Sequence, residues 1–165
     1  MRQGLRALFA FALPVDGPRA AEILSPPQTI LFNSMSRSEQ LHSLAVLASV
    51  GARDSHVLAV AVLLHDAGKS RFPLHLWQRT LSVLVGALAP ATAERLRHGD
   101  PDDPWARGFV VRAEHPAWGA AMAGSAGAPD DAVWLIAHHA DDAAPWHSHR
   151  LYPLLVRLQA ADNAN

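Results

Sequence analysis

No cysteine occurs among the 165 residues. That removes disulfides, iron–sulfur clusters, thiolate zinc sites and cysteine nucleophiles together, so any metal must be held by His, Asp or Glu. Lysine is nearly absent as well: 13 of the 14 cationic residues are arginine, and Lys69 stands alone. Charge of either sign is scarce. A formal net charge of −1 with 18% charged residues excludes a polycation that binds nucleic acid by neutralising phosphates, and a 50% hydrophobic content excludes a disordered tail. Long hydrophobic runs are also lacking. Ala7–Leu13 follows Arg2 and Arg6 and runs into Pro14-Val15-Asp16 without a small-x-small cleavage site. It therefore reads as part of an N-terminal helix on the core rather than a signal peptide. Leu74 to Leu88 is interrupted by His75, Gln78 and Arg79 and falls short of the roughly 20 apolar residues a bilayer requires. No membrane span is expected, and the cytoplasm is the default compartment.

What the chain does have is enough length for one domain, since folding at this size hides roughly 70% of the extended chain's surface. Helix signals dominate. Ser36-x-x-Glu39 forms a capping box ahead of an apolar stretch that stops at Gly51, which predicts a helix over 37–50. Asp54 or Ser55 can cap the next helix, 55–66, whose Val57 to Leu64 run is apolar on every side and so belongs among other helices. Prolines punctuate the rest. Pro73 predicts a helix over 74–88, Pro90 a short one to His98, and Asp103 a cap for 104–113. Pro116 would open one ending near Gly124–Gly127, Pro129 one through 138, and Pro153 the last, to about Asp162. The expected fold is all-α, a compact single-domain helical bundle with residues 1–34 as a helical extension packed on a core domain of 35–165.

A lone His65-Asp66 pair proves little in a chain with ten histidines. Its position says more, because both residues close a helix that is otherwise wholly apolar, where an uncompensated buried carboxylate would cost several kcal/mol or neutralise itself. The same anomaly recurs at Asp162, which follows Leu155 and Leu158 at i, i+3, i+7 and so lies on the stripe that should be core. His138-His139 ends the apolar segment Ala132–Ala137, His115 precedes Pro116 at an N-cap-like position, and His42 sits one turn into an apolar helix. Inward-pointing imidazoles and carboxylates from five helices suit one or two divalent cations, with an Asp able to bridge a pair.

The order His42, Leu63-Leu64-His65-Asp66-Ala67-Gly68-Lys69, Glu114-His115-Pro116, His138-His139 and Ala160-Ala161-Asp162 resembles the HD-domain superfamily of metal-dependent phosphohydrolases over about 35–163. The two intermediate histidine blocks are similar to the two-metal subset that includes HD-GYP phosphodiesterases. The resemblance implies that His42, His65, Asp66 and Asp162 hold one ion and that Asp66, His115 and His138 hold the other. Asp66 is then the bridge, and Lys69 approaches the substrate phosphate. His139 is left without an ion, as a residue supporting a ligand from behind. No Gly-Tyr-Pro follows the histidine pair, where Ala140–Pro145 stands instead, which argues against cyclic dinucleotide cleavage. Ser38 occupies the place of a Glu that would support a third metal.

The expected activity is hydrolysis of a phosphomonoester, nucleotide or phosphodiester, with Asp66 and Lys69 as catalytic residues. The cofactors are divalent ions, two in number, among Mn, Fe, Co, Ni and Zn. The cations would lower the pKa of the attacking water. Two rivals stand beside it: a diiron oxygenase resembling myo-inositol oxygenase, and a non-catalytic nucleotide-binding protein. His56, His75, His98, His147 and His149 read as solvated or capping residues. Trp77 with Leu81–Leu88 reads as core or, alternatively, as a homodimer contact. Specificity is assigned to segments 70–112 and 140–150, which match no signature.

Overall fold

The computed structural model describes residues 15–51 and 55–165. They form a single all-α domain of nine helices. These are α1 (Gly17–Ala21), α2 (Pro26–Ser34), α3 (Arg37–Val50), α4 (His56–Leu64), α5 (Leu76–Leu88), α6 (Pro90–Leu96), α7 (Arg107–Ser125), α8 (Asp130–His138) and α9 (Tyr152–Ala164). Two 3-10 turns, Ala67–Arg71 and Ala144–Trp146, complete the path, and no strand is present among the described residues. The expected N-terminal helix around Ala7–Leu13 and the alternative cap Asp54 lie outside the described residues.

Local chemistry sets the boundaries. The Ser36 amide donates to Glu39 Oε2 at 3.1 Å while the Glu39 amide donates back to Ser36 Oγ, and Gly51, at φ 62°, ends α3 in the left-handed region that a side chain disfavours. Ser55 Oγ accepts from the Leu58 amide at 3.2 Å and starts α4. Every residue of α4 from Leu58 to Leu64 is buried, because the helix runs between α2, α3, α8 and α9. Leu58, Leu63 and Leu64 on this helix and Phe32, Leu135, Ile136, Leu155 and Leu158 around it are fully buried, each contributing roughly 2 kcal/mol of hydrophobic stabilisation. Residues 15–34 add Ala20, Leu24, Leu31 and Phe32 to this same core.

The expected cap at Asp103 is not used, since α7 begins at Arg107 without a side-chain cap, and one expected break does not occur. The predicted break at Pro116 is absent: α7 is a continuous 19-residue helix with the proline inside it. Phe109, Val110 and Val111 before the proline and Gly119, Ala120 and Ala123 after it are all buried, so tertiary packing holds the helix through a residue that would end an isolated one. The 3-10 turn 67–71 crosses α7 at this point, so closely that a Cβ on Gly68 would lie 2.0 Å from the His115 carbonyl oxygen. Only glycine fits.

Helix α5 is tied back to α3 by Arg79, whose guanidinium donates to the buried Glu39 Oε1 at 2.9 Å. Its inner face holds the buried Gln78 and Ser82, while Leu76, Val83, Leu84 and Leu88 are exposed. No helix among the described residues is long and apolar enough to cross a membrane.

Candidate metal centre

Three histidines share one construction. His65 Nδ1 lies 2.8 Å from the Val62 carbonyl, and His139 Nδ1 lies 2.7 Å from that of Ile136. His115 Nδ1 lies 3.0 Å from the Val111 and 3.1 Å from the Arg112 carbonyl oxygen. A carbonyl only accepts, so Nδ1 carries the proton in each ring and Nε2 presents a lone pair. In the first two the ring closes the end of its own helix, where carbonyls lack amide partners. In the third the donor answers Pro116, which has no N–H to give to Arg112.

The three lone pairs converge. The rings of His42, His65, His139 and His115 follow one another with centroids 5.5, 5.0 and 5.1 Å apart. Asp66 lies along this row, Oδ2 3.6 Å from His65 Nε2 and Oδ1 3.5 Å from His115 Nε2 and 3.9 Å from His139 Nε2. Asp162 closes the other end, 2.7 Å from His42 Nε2 and 3.6 Å from His65 Nε2. Among the described residues two groups have spacing that could hold a metal ion: His42, His65 and Asp162, and His65, Asp66 and His139.

Two features of this arrangement are compatible with a bound cation. His65 Nε2 is buried without a hydrogen-bond partner, since neither carboxylate is within hydrogen-bonding distance, and buried polar atoms are rarely left so. His115 and His139 face each other Nε2 to Nε2 at 3.2 Å, lone pair against lone pair with both protons committed to carbonyls. At His139 a proton is a poor answer. Burial, followed by the neighbouring His65, lowers the His139 pKa to about 3, which keeps that ring neutral. At His65 burial again disfavours protonation, but Asp66 and Asp162 together outweigh it and raise the pKa.

The carboxylates are held ionised. Burial pushes the Asp66 pKa up, but Lys69, His65 and His115 overcome it and leave the group well below the ordinary carboxylate range. Lys69 Nζ lies 2.7 Å from Asp66 Oδ1. At Asp162 the opposing effect of burial is overcome by His42 and His65, and the pKa is again lowered. Ionised oxygens and neutral imidazoles are the donor set for a first-row divalent metal.

The structure thus brings together His42, His65, Asp66, His115 and Asp162 from α3, the end of α4, α7 and α9, with Lys69 beside them. It does not bring in His138. That ring turns outward, Nδ1 2.6 Å from Asp141 Oδ2, and packs on Trp134 and Trp146. The position expected of His138 is taken by His139, for which the sequence pattern implies only a supporting role. A helical turn explains the exchange: adjacent residues point about 100° apart, so only one of the pair can face inward. The signal was present in the sequence, because Ala132, Leu135 and Ile136 are the buried stripe of α8 and the spacing i, i+3, i+4, i+7 continues to 139, not 138.

Of the remaining histidines, His75 starts α5, His98 faces Glu94, and His149 stacks on Trp134 at 4.0 Å. Comparison of the chain with protein-family models, with curated proteins and with solved structures finds no match.

Proposed function

We propose that this chain is a metal-dependent phosphohydrolase of the HD-domain type, acting on a phosphomonoester, a nucleotide or a phosphodiester. The observation that supports it best is the meeting of three Nε2 lone pairs and two ionised carboxylates around an unpartnered buried nitrogen. The donors divide into two halves that share Asp66. His42, His65, Asp162 and Asp66 Oδ2 suit one ion, and His115, His139 and Asp66 Oδ1 suit the other. His139 replaces His138 in this allotment.

Bound by these residues, divalent ions would supply an acidified water and charge neutralisation for phosphate oxygens. The chain's own residues do the rest. Backbone carbonyls fix the imidazole tautomers, as in most ligating histidines. The apolar α4 and α8 keep the inner side of the cluster dry, which strengthens every charge interaction in it. Lys69, partly exposed at the outer side, supplies a compact point charge for a non-bridging phosphate oxygen.

The test is elemental analysis of protein purified without chelators, paired with anaerobic assays on nucleotides and phosphodiesters. The expected result is about two equivalents of metal and release of phosphate or nucleotide, both lost in Asp66→Ala. Turnover that survives in a metal-free protein would overturn the reading. Oxygen uptake by the iron-loaded protein without phosphoester cleavage would replace it with the oxygenase alternative.

A further inference from the structure

The two halves of the cluster are not equivalent, because a cation of the protein's own sits on one of them. The Lys69 ammonium is 2.7 Å from Asp66 Oδ1, the oxygen that faces His115 and His139. Oδ2 faces His65 instead, at 3.6 Å. The ion pairs of Asp162, at the far end, are with His42 and His65. One carboxylate oxygen is therefore occupied by an ammonium, and the other is open toward the His42 half.

That placement follows from electrostatics. Asp66 is only 4% exposed in its side chain, and a buried carboxylate without a partner is strongly disfavoured. Beside Oδ1 two imidazole lone pairs already confront each other, so positive charge is favoured in this half. Lys69 meets the need with its tip while 30% of its side chain stays exposed, from the middle of a 3-10 turn. A divalent ion entering between His115, His139 and Oδ1 would require the oxygen that Lys69 holds and would repel the ammonium at close range. Lys69 has an exit to solvent.

We infer that Lys69 is the built-in counter-ion of the His115/His139 half. The two halves then fill in order, His42/His65/Asp162 first, and filling the second displaces the ammonium and frees it for an anionic ligand. This rests on the metal-centre reading above and adds to it a device: the cation offered to substrate appears only when the second ion is in place.

The experiment is a Zn²⁺ titration of chelator-stripped protein in competition with a chromophoric chelator, on wild type and Lys69→Met. Wild type is expected to bind two equivalents with separated dissociation constants. In Lys69→Met the weaker constant tightens by about tenfold or more, and by more than the tighter one, as the loss of a competing charge at this distance implies. As an independent readout, Zn²⁺ raises the melting temperature of Lys69→Met by more than it raises that of wild type, because the stripped variant begins with an unpaired Asp66. A lysine that served substrate alone would move neither quantity. An unchanged or weakened second constant in the variant overturns the inference while leaving the metal centre intact. Absence of Zn²⁺ binding in wild type overturns both.

Discussion

Asp66 is the one residue that both halves of the cluster share, so its charge can be removed with almost no change of shape. Asp66→Asn keeps the side chain's volume and takes away the carboxylate that faces His65, His115 and His139 within 3.5–3.9 Å. In stripped protein the cost is moderated by Lys69, which reaches solvent, so the apo stability should change by about 1–2 kcal/mol rather than the roughly 3–5 kcal/mol of a broken, fully enclosed pair. The larger effect is on linkage. Zn²⁺ at one hundred times its dissociation constant stabilises the native state by about 2.7 kcal/mol. For a chain of this length that is about 5–10 °C in melting temperature. Wild type should lose that increment on adding a chelator, whereas Asp66→Asn should show less than about 3 °C of difference with and without metal. Thermal unfolding followed by tryptophan fluorescence reads this directly, with Trp134 and Trp118 both partly buried. An Asp66→Asn protein that still gains the full wild-type increment would refute the idea that this carboxylate joins the two sets of donors.

His139→Ala should lower bound metal by about one equivalent in elemental analysis, while His138→Ala leaves metal content unchanged and costs about 1 kcal/mol of aromatic packing against Trp134 and Trp146. The opposite outcome would return the ligand role to His138. In stripped protein, His139 carries a pKa lowered to about 3 against an unfolded value near 6.5. Its contribution is therefore complete above about pH 6.5 and is lost as pH falls toward 3. Urea denaturation at pH 6 and pH 4 should show wild type losing about 1.4 kcal/mol per pH unit more than His139→Gln, and equal slopes would contradict that assignment. Gly68→Ala should destabilise by about 3 kcal/mol or more, since its Cβ would meet the His115 carbonyl at 2.0 Å. A melting temperature within a degree or two of wild type would show that the crossing is looser than described.

Much of this was legible before any coordinates. The capping box at Ser36 and the stop at Gly51 define α3 because both act through backbone groups a few residues away. The all-round apolar run of α4 gives its central place, since such a helix has no other way to hide its surface. His65, Asp66 and Asp162 stood out for the converse reason, as polar groups on stripes that should be apolar. Two features resisted. Pro116 reads as a helix start when judged locally, and only the burial of residues on both sides of it, a tertiary fact, keeps α7 whole. The sequence pattern gives the ligand role to His138 and a supporting one to His139, whereas one residue of rotation decides which ring enters the cluster. Lys69 was visible as the only lysine, but its contact with Asp66 Oδ1 depends on the tight 3-10 turn that follows α4.

The proline in α7 has an effect out of proportion to its own contacts. By withholding one amide it leaves the Arg112 carbonyl to be answered from within the helix, and the imidazole next door supplies the hydrogen. That choice fixes which nitrogen of His115 is turned toward Asp66. Replacing Pro116 by alanine would restore an ordinary helical bond and loosen the ring's attachment, leaving it freer to exchange tautomers. A residue with no donor atom of its own thus governs the readiness of a neighbour to act as one.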